Sequence, residues 1–441
     1  MQFMDLPPEL ADNVLACVAD APDASQTLGA CALVCHSWRQ LAYPYLFKTM
    51  RLNFSLADAS LIKESCINVK TVEQIVDFFT SSPLVGPCIR TLQLRQVLKH
   101  QAVPADTFRR ILGPLRRLQR LSLYNLLLTP SAPTPPSPPL PCSLDFLEIY
   151  TGEMRVCGDY LVTSKEIHDI TRVFARVDHL CLSMLPTAYR EERPEDLLAN
   201  DTTLVLPAVR QLSVINPSSF DLLFRALRHM PTCNLRTINF ENLPARDLEH
   251  VGRFLGTLGS TLESVKLGEV WSTNPHSAGE LLSAMHTLNL SSCHALDNFT
   301  FTIPFTLATN VPDAGSTPIT APHWRLSLHT FSVVREILTT VIPGWTRSVG
   351  LVLRKNSMYE RYSARIGLGK GEMSWKGLDE VLVGRGGMRK DACVRVEVVC
   401  DGWTNSTMVR RREDADKAKE GEREALKACL SDVVAAGMLR F

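Results

Sequence analysis

From residue 72 onward, the apolar positions of this chain follow two alternating patterns. The first is a helical stripe: Val72, Ile75, Val76 and Phe79 recur at the spacing that lines one face of a helix. Phe108, Ile111, Leu112 and Leu115 repeat it, as do Ile167, Ile170, Val173 and Phe174, and then Leu248, Val251, Phe254 and Leu255. The second pattern is shorter: an apolar residue, two free positions, an apolar residue, one free position, an apolar residue. It occurs at Ile89/Leu92/Leu94, Leu118/Leu121/Leu123, Leu144/Leu147/Ile149, Val177/Leu180/Leu182, Val209/Leu212/Val214, Leu235/Ile238/Phe240, Leu262/Val265/Leu267 and Leu296/Phe299/Phe301. A single match means little at this apolar content. The information lies in its return at about 26 to 34 residues with helical stripes between. Strand and helix alternating at that period predict stacked strand–helix units with parallel strands.

Beyond residue 303 the register loosens. Val349/Leu351/Leu353 and Val394/Val396/Val398 alternate as strands. Trp375 to Leu382 fits a helix (Trp375, Leu378, Val381, Leu382) or another strand; the helix is preferred, because Val394 to Val399 then supplies the next strand. Leu426, Cys429, Leu430, Val433 and Val434 form a one-sided stripe ending at Gly437, after an almost wholly charged or small stretch. They predict a capping helix within 406–441. Residues 129–141 are Pro-rich and predict neither helix nor central strand. They read as an exposed insertion: Thr134-Pro135 and Ser137-Pro138 as proline-directed phosphorylation sites, or the segment as an SH3-type ligand, with a tolerated loop as the plain alternative.

Residues 5–50 read as three short helices. Asp5 is placed to cap the first, opened by Pro7 and Pro8, with Leu10, Val14, Leu15 and Val18 on one face. Ser25 is placed to cap the second, carrying Leu28, Cys31, Ala32 and Cys35; the third carries Trp38, Leu41 and Ala42 and stops at Pro44. So few residues cannot build a self-sufficient core, so the module must lean on a partner or on the rest of the chain. Leu6-Pro7-Pro8-Glu9-Leu10, then Leu28 through Leu33-Val34-Cys35-His36-Ser37-Trp38, then Leu41-Ala42 and Tyr45-Leu46-Phe47 resemble an F-box in order and spacing. The resemblance covers about a tenth of the chain. It implies docking on an SKP-type adaptor and, through it, a cullin. By position, Leu6, Pro7, Pro8, Leu10, Val14, Leu33, Val34, Cys35 and Trp38 match the docking face. The plain alternative is an N-terminal cap packed on the next domain.

The alternation further along resembles a degenerate leucine-rich repeat, as in F-box/leucine-rich-repeat proteins of fungi. The asparagine or cysteine usual after each repeat strand is mostly missing: Val97, Leu126, Leu185, Leu243 and Val270 stand there, so the turns must satisfy their backbone groups otherwise. The expected fold is α/β: a three-helix F-box (1–50), an irregular leucine-rich-repeat-like α/β solenoid (51–405) and the C-terminal cap. In such a solenoid the residues between the strand leucines face the concave side. They are Gln93, Arg95, Arg120, Ser122, Tyr124, Phe146, Glu148, Tyr150, His179, Gln211, Thr237, Asn239, Glu241 and Lys266. Arg95, Arg120, Tyr124, Phe146 and Tyr150 are the candidate substrate-binding cluster, since Tyr and Arg are enriched at binding hot spots. Solvated strand positions are the alternative.

Composition narrows the function. A net charge of +1 favours neither nucleic acid nor acidic small substrates. The thirteen cysteines are scattered without a CxxC pair, so no metal site is expected and most read as reduced core residues, Cys17, Cys31, Cys181 and Cys429 among them. The opening residues do not predict a secretory signal, and no apolar run reaches the roughly 20 residues of a membrane helix. Gly367-Leu368-Gly369-Lys370-Gly371 lacks the context of a phosphate loop, and Gly384-Arg385-Gly386-Gly387 is a turn. Cys293 and His294 are adjacent, so on a strand their side chains diverge. His168 and His179 read as surface or half-buried residues rather than ligands. The expectation is a non-catalytic adaptor, cytoplasmic or nuclear, with no cofactor, no membrane and no nucleic acid, binding an unidentified protein substrate for ubiquitination. A repeat scaffold without ligase coupling is the alternative, and an enzyme comes third.

Overall fold

In a computed structural model of the chain, the described residues are 7–54, 67–69, 71–96, 102–129, 140–150, 170–171, 173–183, 208–215, 234–271, 283, 287–288, 290–308, 323–325, 346–355, 393–400 and 439–440. Three helices come first: α1 (Pro8–Ala19), α2 (Ala24–Val34) and α3 (His36–Leu46). Leu15, Leu28, Ala32, Trp38 and Ala42 form their shared core. Arg39 Nε donates to the Ala32 carbonyl at 3.2 Å, meeting an acceptor in the last turn of α2 that the helix cannot pair itself. The Tyr45 hydroxyl donates to Asp12 Oδ1 at 2.9 Å, tying α3 to α1. Asp5, the expected cap, lies outside the described residues, and Pro7 stands at the N-cap of α1. The second helix starts one residue before Ser25, with Asp23 at its N-cap. Pro44 does not stop α3. It is exposed near the helix end, so its missing N–H removes one late bond, and the helix closes at Phe47, whose N–H reaches the Tyr43 carbonyl at 2.9 Å.

Two compact units follow from the contacts, Met1–Asn234 and Leu235–Phe441. In the first, β1 (Thr49–Phe54), β2 (Ile67–Val69), β3 (Thr91–Gln96), β5 (Arg120–Tyr124), β7 (Leu140–Tyr150), β8 (Phe174–Ser183) and β9 (Ala208–Ile215) form a parallel sheet. Their order is β9-β8-β7-β5-β3-β1-β2. β4 (Ala102–Pro104) pairs with β6 (Leu127–Thr129) beside it. α4 (Val72–Ser81) and α5 (Ala105–Leu112) lie between strands in sequence. Thr71 caps α4 by accepting the Gln74 N–H at 3.4 Å.

The strand pattern aligns residue for residue. Leu92, Leu121, Leu147, Leu180 and Leu212 occupy one register position in successive strands; Leu94, Leu123, Ile149, Leu182 and Val214 occupy the next position on the same face. None exceeds 1% exposure, so that face is fully covered. Burying each such side chain contributes about 1.5–3 kcal/mol. The first apolar residue of several motifs lies before its strand, in a repeated turn. Arg90 and Thr91 N–H both donate to the Lys48 carbonyl, and Gln119 and Arg120 N–H both donate to that of Arg90. Glu263 and Ser264 do the same to Arg236.

The second unit repeats this logic with β10 (Thr237–Glu241), β12 (Ser264–Trp271), β13 (Asn298–Ala308), β15 (Ser348–Lys355), β16 (Cys393–Cys400) and β17 (Leu439–Arg440), all parallel neighbours in that order. β11 (Leu243–Pro244) adds to β12, and β14 (His323–Arg325) pairs antiparallel with β13. α6 (Leu248–Thr257) buries Leu248, Val251, Phe254 and Leu255 as its stripe predicts. The strands expected at Val349 and Val394 both form, β15 in register with β13 and β16 in register with β15.

Several expectations change. β1 carries only Met50 and Leu52 inward, too short a signal to stand out beside the F-box-like segment. Phe174 opens β8 rather than closing a helix. Leu140 and Pro141 belong to β7, where a register shift between Leu140 and Ser143 accommodates a residue without an N–H. Leu439–Arg440 pairs with Val396 and Glu397, so the stretch assigned to the cap ends in the sheet. Residues 130–139, Trp375 to Leu382 and Leu426 to Gly437 lie outside the described residues.

The strand ends solve their backbone problem in an unexpected way. Asn125 and Asn242 adopt φ of 57° and 56°, the left-handed region that Asn tolerates better than other side chains. Each is followed by a buried leucine, Leu126 or Leu243, at the position where the repeat asparagine was expected. The asparagine stands one residue early and reverses the chain by its own conformation. Asn125 N–H also donates to the Tyr150 carbonyl at 2.8 Å.

Candidate functional site

α1 has two faces where the spacing suggested one. Ala11 and Leu15 turn inward, while Leu10 and Val14, one turn apart, are 51% and 45% exposed. α2 divides likewise: Leu28 and Ala32 are buried, and Leu33 and Val34 at its end are 79% and 66% exposed. These four are most of the large apolar side chains left open among the described residues. Isolated exposed apolar residues are ordinary; four within one three-helix module are a local concentration of open apolar side chains. Cys35 is half-buried against the core at the α2–α3 junction. Pro7 is exposed, Leu6 lies outside the described residues, and Pro8 opens α1. Trp38 differs from these. It is 9% exposed and packs in the core with Leu15, Leu28, Ala32 and Ala42.

The second candidate region is the sheet face opposite the leucine ladder. Arg120, Phe146, His179 and Gln211 share one register position; Arg95, Tyr124 and Tyr150 share another. All five predicted residues therefore lie on one face of three adjacent strands. The Arg120 guanidinium sits 4.5 Å from the centre of the Phe146 ring, a cation–π contact. Phe146 meets His179 edge-on at 4.9 Å, and Tyr124 lies 5.3 Å from Tyr150. The Tyr124 hydroxyl donates to Glu148 Oε2 at 3.1 Å. Burial first, then the Glu148 charge and hydrogen bond, push the Tyr124 phenol above its ordinary value, so it stays a donor at neutral pH. Burial, with the Arg120 charge second, lowers His179. Its Nε2 is 2.8 Å from Ser213 Oγ.

His179 and Glu148 stood among the facing positions but not in the predicted cluster. What links them to it is their contacts, which no spacing rule reports. Cys293 and His294 lie on a turn before β13 rather than on a strand; Cys293 Sγ reaches the Leu255 carbonyl at 3.6 Å, and burial raises its thiol. Cys181 is buried as expected, whereas Cys17 is exposed. Among the described residues no group of side chains is arranged to hold a metal ion, and no helix is long and apolar enough to cross a membrane.

The open apolar residues of α1 and α2 lie inside a recognised module. Residues 3–53 match the F-box-like family. F-box domains bind SKP-type adaptors, so the match supports an F-box protein and suggests, at the family level, a ubiquitin-ligase adaptor. The F-box-like segment thus runs from before α1 into β1. No curated protein matches the chain.

Proposed function

We propose that this chain is the substrate-recognition adaptor of an SKP–cullin–F-box ubiquitin ligase and performs no covalent chemistry itself. The observation that carries the reading is the split of the F-box-like segment. Trp38 is turned into the core, and Leu10, Val14, Leu33 and Val34 are left open for an apolar partner. The body we read as a degenerate leucine-rich-repeat solenoid. The in-register leucine ladders support this, and the open sheet face is its concave, substrate-binding side. Function is then proximity: a protein held on the sheet meets the ubiquitin donor at high effective concentration. The same reading sets its action in the cytoplasm or nucleus.

The test is co-elution of the purified full chain with an SKP-type adaptor and a cullin in size-exclusion chromatography. A stable ternary complex is expected. A folded chain that elutes alone removes the ligase assignment and leaves a repeat scaffold.

A further inference from the structure

We propose that the open face of β1, β3, β5, β7 and β8 takes an extended acidic protein segment that also carries an aromatic side chain. This rests on the reading of that face as the substrate side and names the class of substrate.

Charge is the first argument. Arg51, Arg95 and Arg120 stand on β1, β3 and β5, three adjacent strands, at positions that alternate away from the leucine ladder. All three are exposed. The one acidic side chain at the open-face positions of these strands is Glu148, and it is engaged by the Tyr124 hydroxyl. Among the described residues none of the three arginines has a carboxylate partner. The +1 charge of the whole chain hides this local excess. Arg120 lies over the Phe146 ring, a contact that occupies none of its N–H donors in a carboxylate pair.

The aromatic groups are the second argument. Tyr124, Tyr150, Phe146 and His179 adjoin the arginines as two ring pairs. Ser122, Cys181, Ser183 and Ser213 occupy the same face and are all buried. Small side chains thus alternate with larger ones along the strands and fill the spaces between them, so a ligand ring would lie against the outer edges of Tyr124, Tyr150 and Phe146. Offset and edge-on ring contacts suit an aromatic side chain; the arginine row suits flanking carboxylates.

Fluorescence anisotropy of the full chain provides the test. The probes are a labelled Asp/Glu-rich peptide bearing one Trp, the same peptide with Asn/Gln for Asp/Glu, and a single-stranded oligonucleotide. We expect the acidic peptide to bind at least about tenfold more tightly than the neutral one, as several exposed ion pairs of modest strength allow. Affinity should fall with added salt. Arg95→Glu with Arg120→Glu should cost about tenfold or more, while Lys48→Glu, a charge change off the face, should leave it unchanged. Equal binding of the two peptides, no binding of the acidic one, or tighter binding of the oligonucleotide overturns the proposal. The peptide comparison uses the wild-type chain, so a misfolded variant cannot obscure it. Adaptor binding measured on the same sample separates the two ideas: its retention without acidic preference overturns the substrate class alone.

Discussion

Truncating Trp38 and truncating Leu33 with Val34 should have opposite signatures. Trp38 is packed with Leu15, Leu28, Ala32 and Ala42, a core shared by three helices of 12, 11 and 11 residues. Removing a buried aromatic ring costs about 3–5 kcal/mol. A core this small holds little in reserve, so Trp38→Ala should unfold the three helices, and adaptor binding should vanish as a consequence of unfolding. Leu33 and Val34 are mostly exposed in the free chain. Cutting both to Ala removes almost no packing, and surface changes of this kind stay within roughly 0.5 kcal/mol. Against a partner the same two side chains would be buried. Hiding each contributes about 1–3 kcal/mol, so their joint loss should weaken adaptor binding by roughly 30-fold or more. Calorimetric titration of an SKP-type adaptor, paired with helical circular dichroism and a thermal scan, reads both quantities. Full-strength binding by folded Leu33→Ala/Val34→Ala would refute the docking surface; a Trp38→Ala variant as stable as wild type would refute the core assignment.

Further outcomes follow from the sheet. Gly268→Ala would place a Cβ 2.8 Å from the Phe240 carbonyl oxygen and from Glu241 Cα, backbone that cannot swing away. A loss of about 1–3 kcal/mol in urea unfolding is expected, and an unchanged midpoint would contradict the close approach. Asn242→Gly should be nearly neutral and Asn242→Ala should cost about 1 kcal/mol, because φ there is 56°; equal midpoints would dismiss the left-handed turn. Burial and Arg120 lower the His179 pKa, so the unfolded chain takes up its proton first as pH falls. Stability should therefore drop as pH passes below about 6.5 and level off below the folded pKa. His179→Gln should remove that part of the slope between about pH 7.5 and 5.5, and an unaltered profile would assign the slope to other groups.

What the sequence made legible follows from what constrains it. A parallel strand covered on one face demands apolar residues at every second position, and Leu121, Leu123, Leu147 and Ile149 announce themselves on that account. The stripes of α4, α5 and α6 are equally plain, since each must bury one side. β1 escaped notice because Met50 and Leu52 alone make no pattern. The turns escaped because an asparagine one position early uses conformation where a side-chain ladder was expected. Within the F-box-like segment, i, i+4 spacing grouped Leu10 and Val14 with Leu15; which of them faces inward depends on where α2 and α3 lie, and a linear pattern does not carry that. Alternation alone put Arg95, Arg120, Tyr124, Phe146 and Tyr150 on one face, as the strand register also does. The contacts across that face were not legible, because they run between strands 24 to 34 residues apart in sequence.

The same asymmetry explains how one chain can hold a fixed fold and a variable binding surface. Positions on the ladder face are held by packing, where removing a methylene group costs about a kcal/mol. Positions between them bear less packing load, which on the proposed function leaves Arg51, Arg95 and Arg120 available for recognition. The F-box-like segment and the sheet also share material: the match runs to residue 53, through Met50 and Leu52 of β1 on the covered side and Arg51 on the open one. Only Phe47 and Lys48 separate α3 from β1, and the Lys48 carbonyl accepts N–H groups of both Arg90 and Thr91. The three helices therefore reach the sheet through a bonded turn rather than a tether. A tether would let a bound protein sample many orientations and spread its lysines over a large volume. A bonded two-residue turn instead narrows the orientation of the three helices relative to the adjoining strands; on the proposed function, contacts on the strand face would then govern which substrate lysines come within reach.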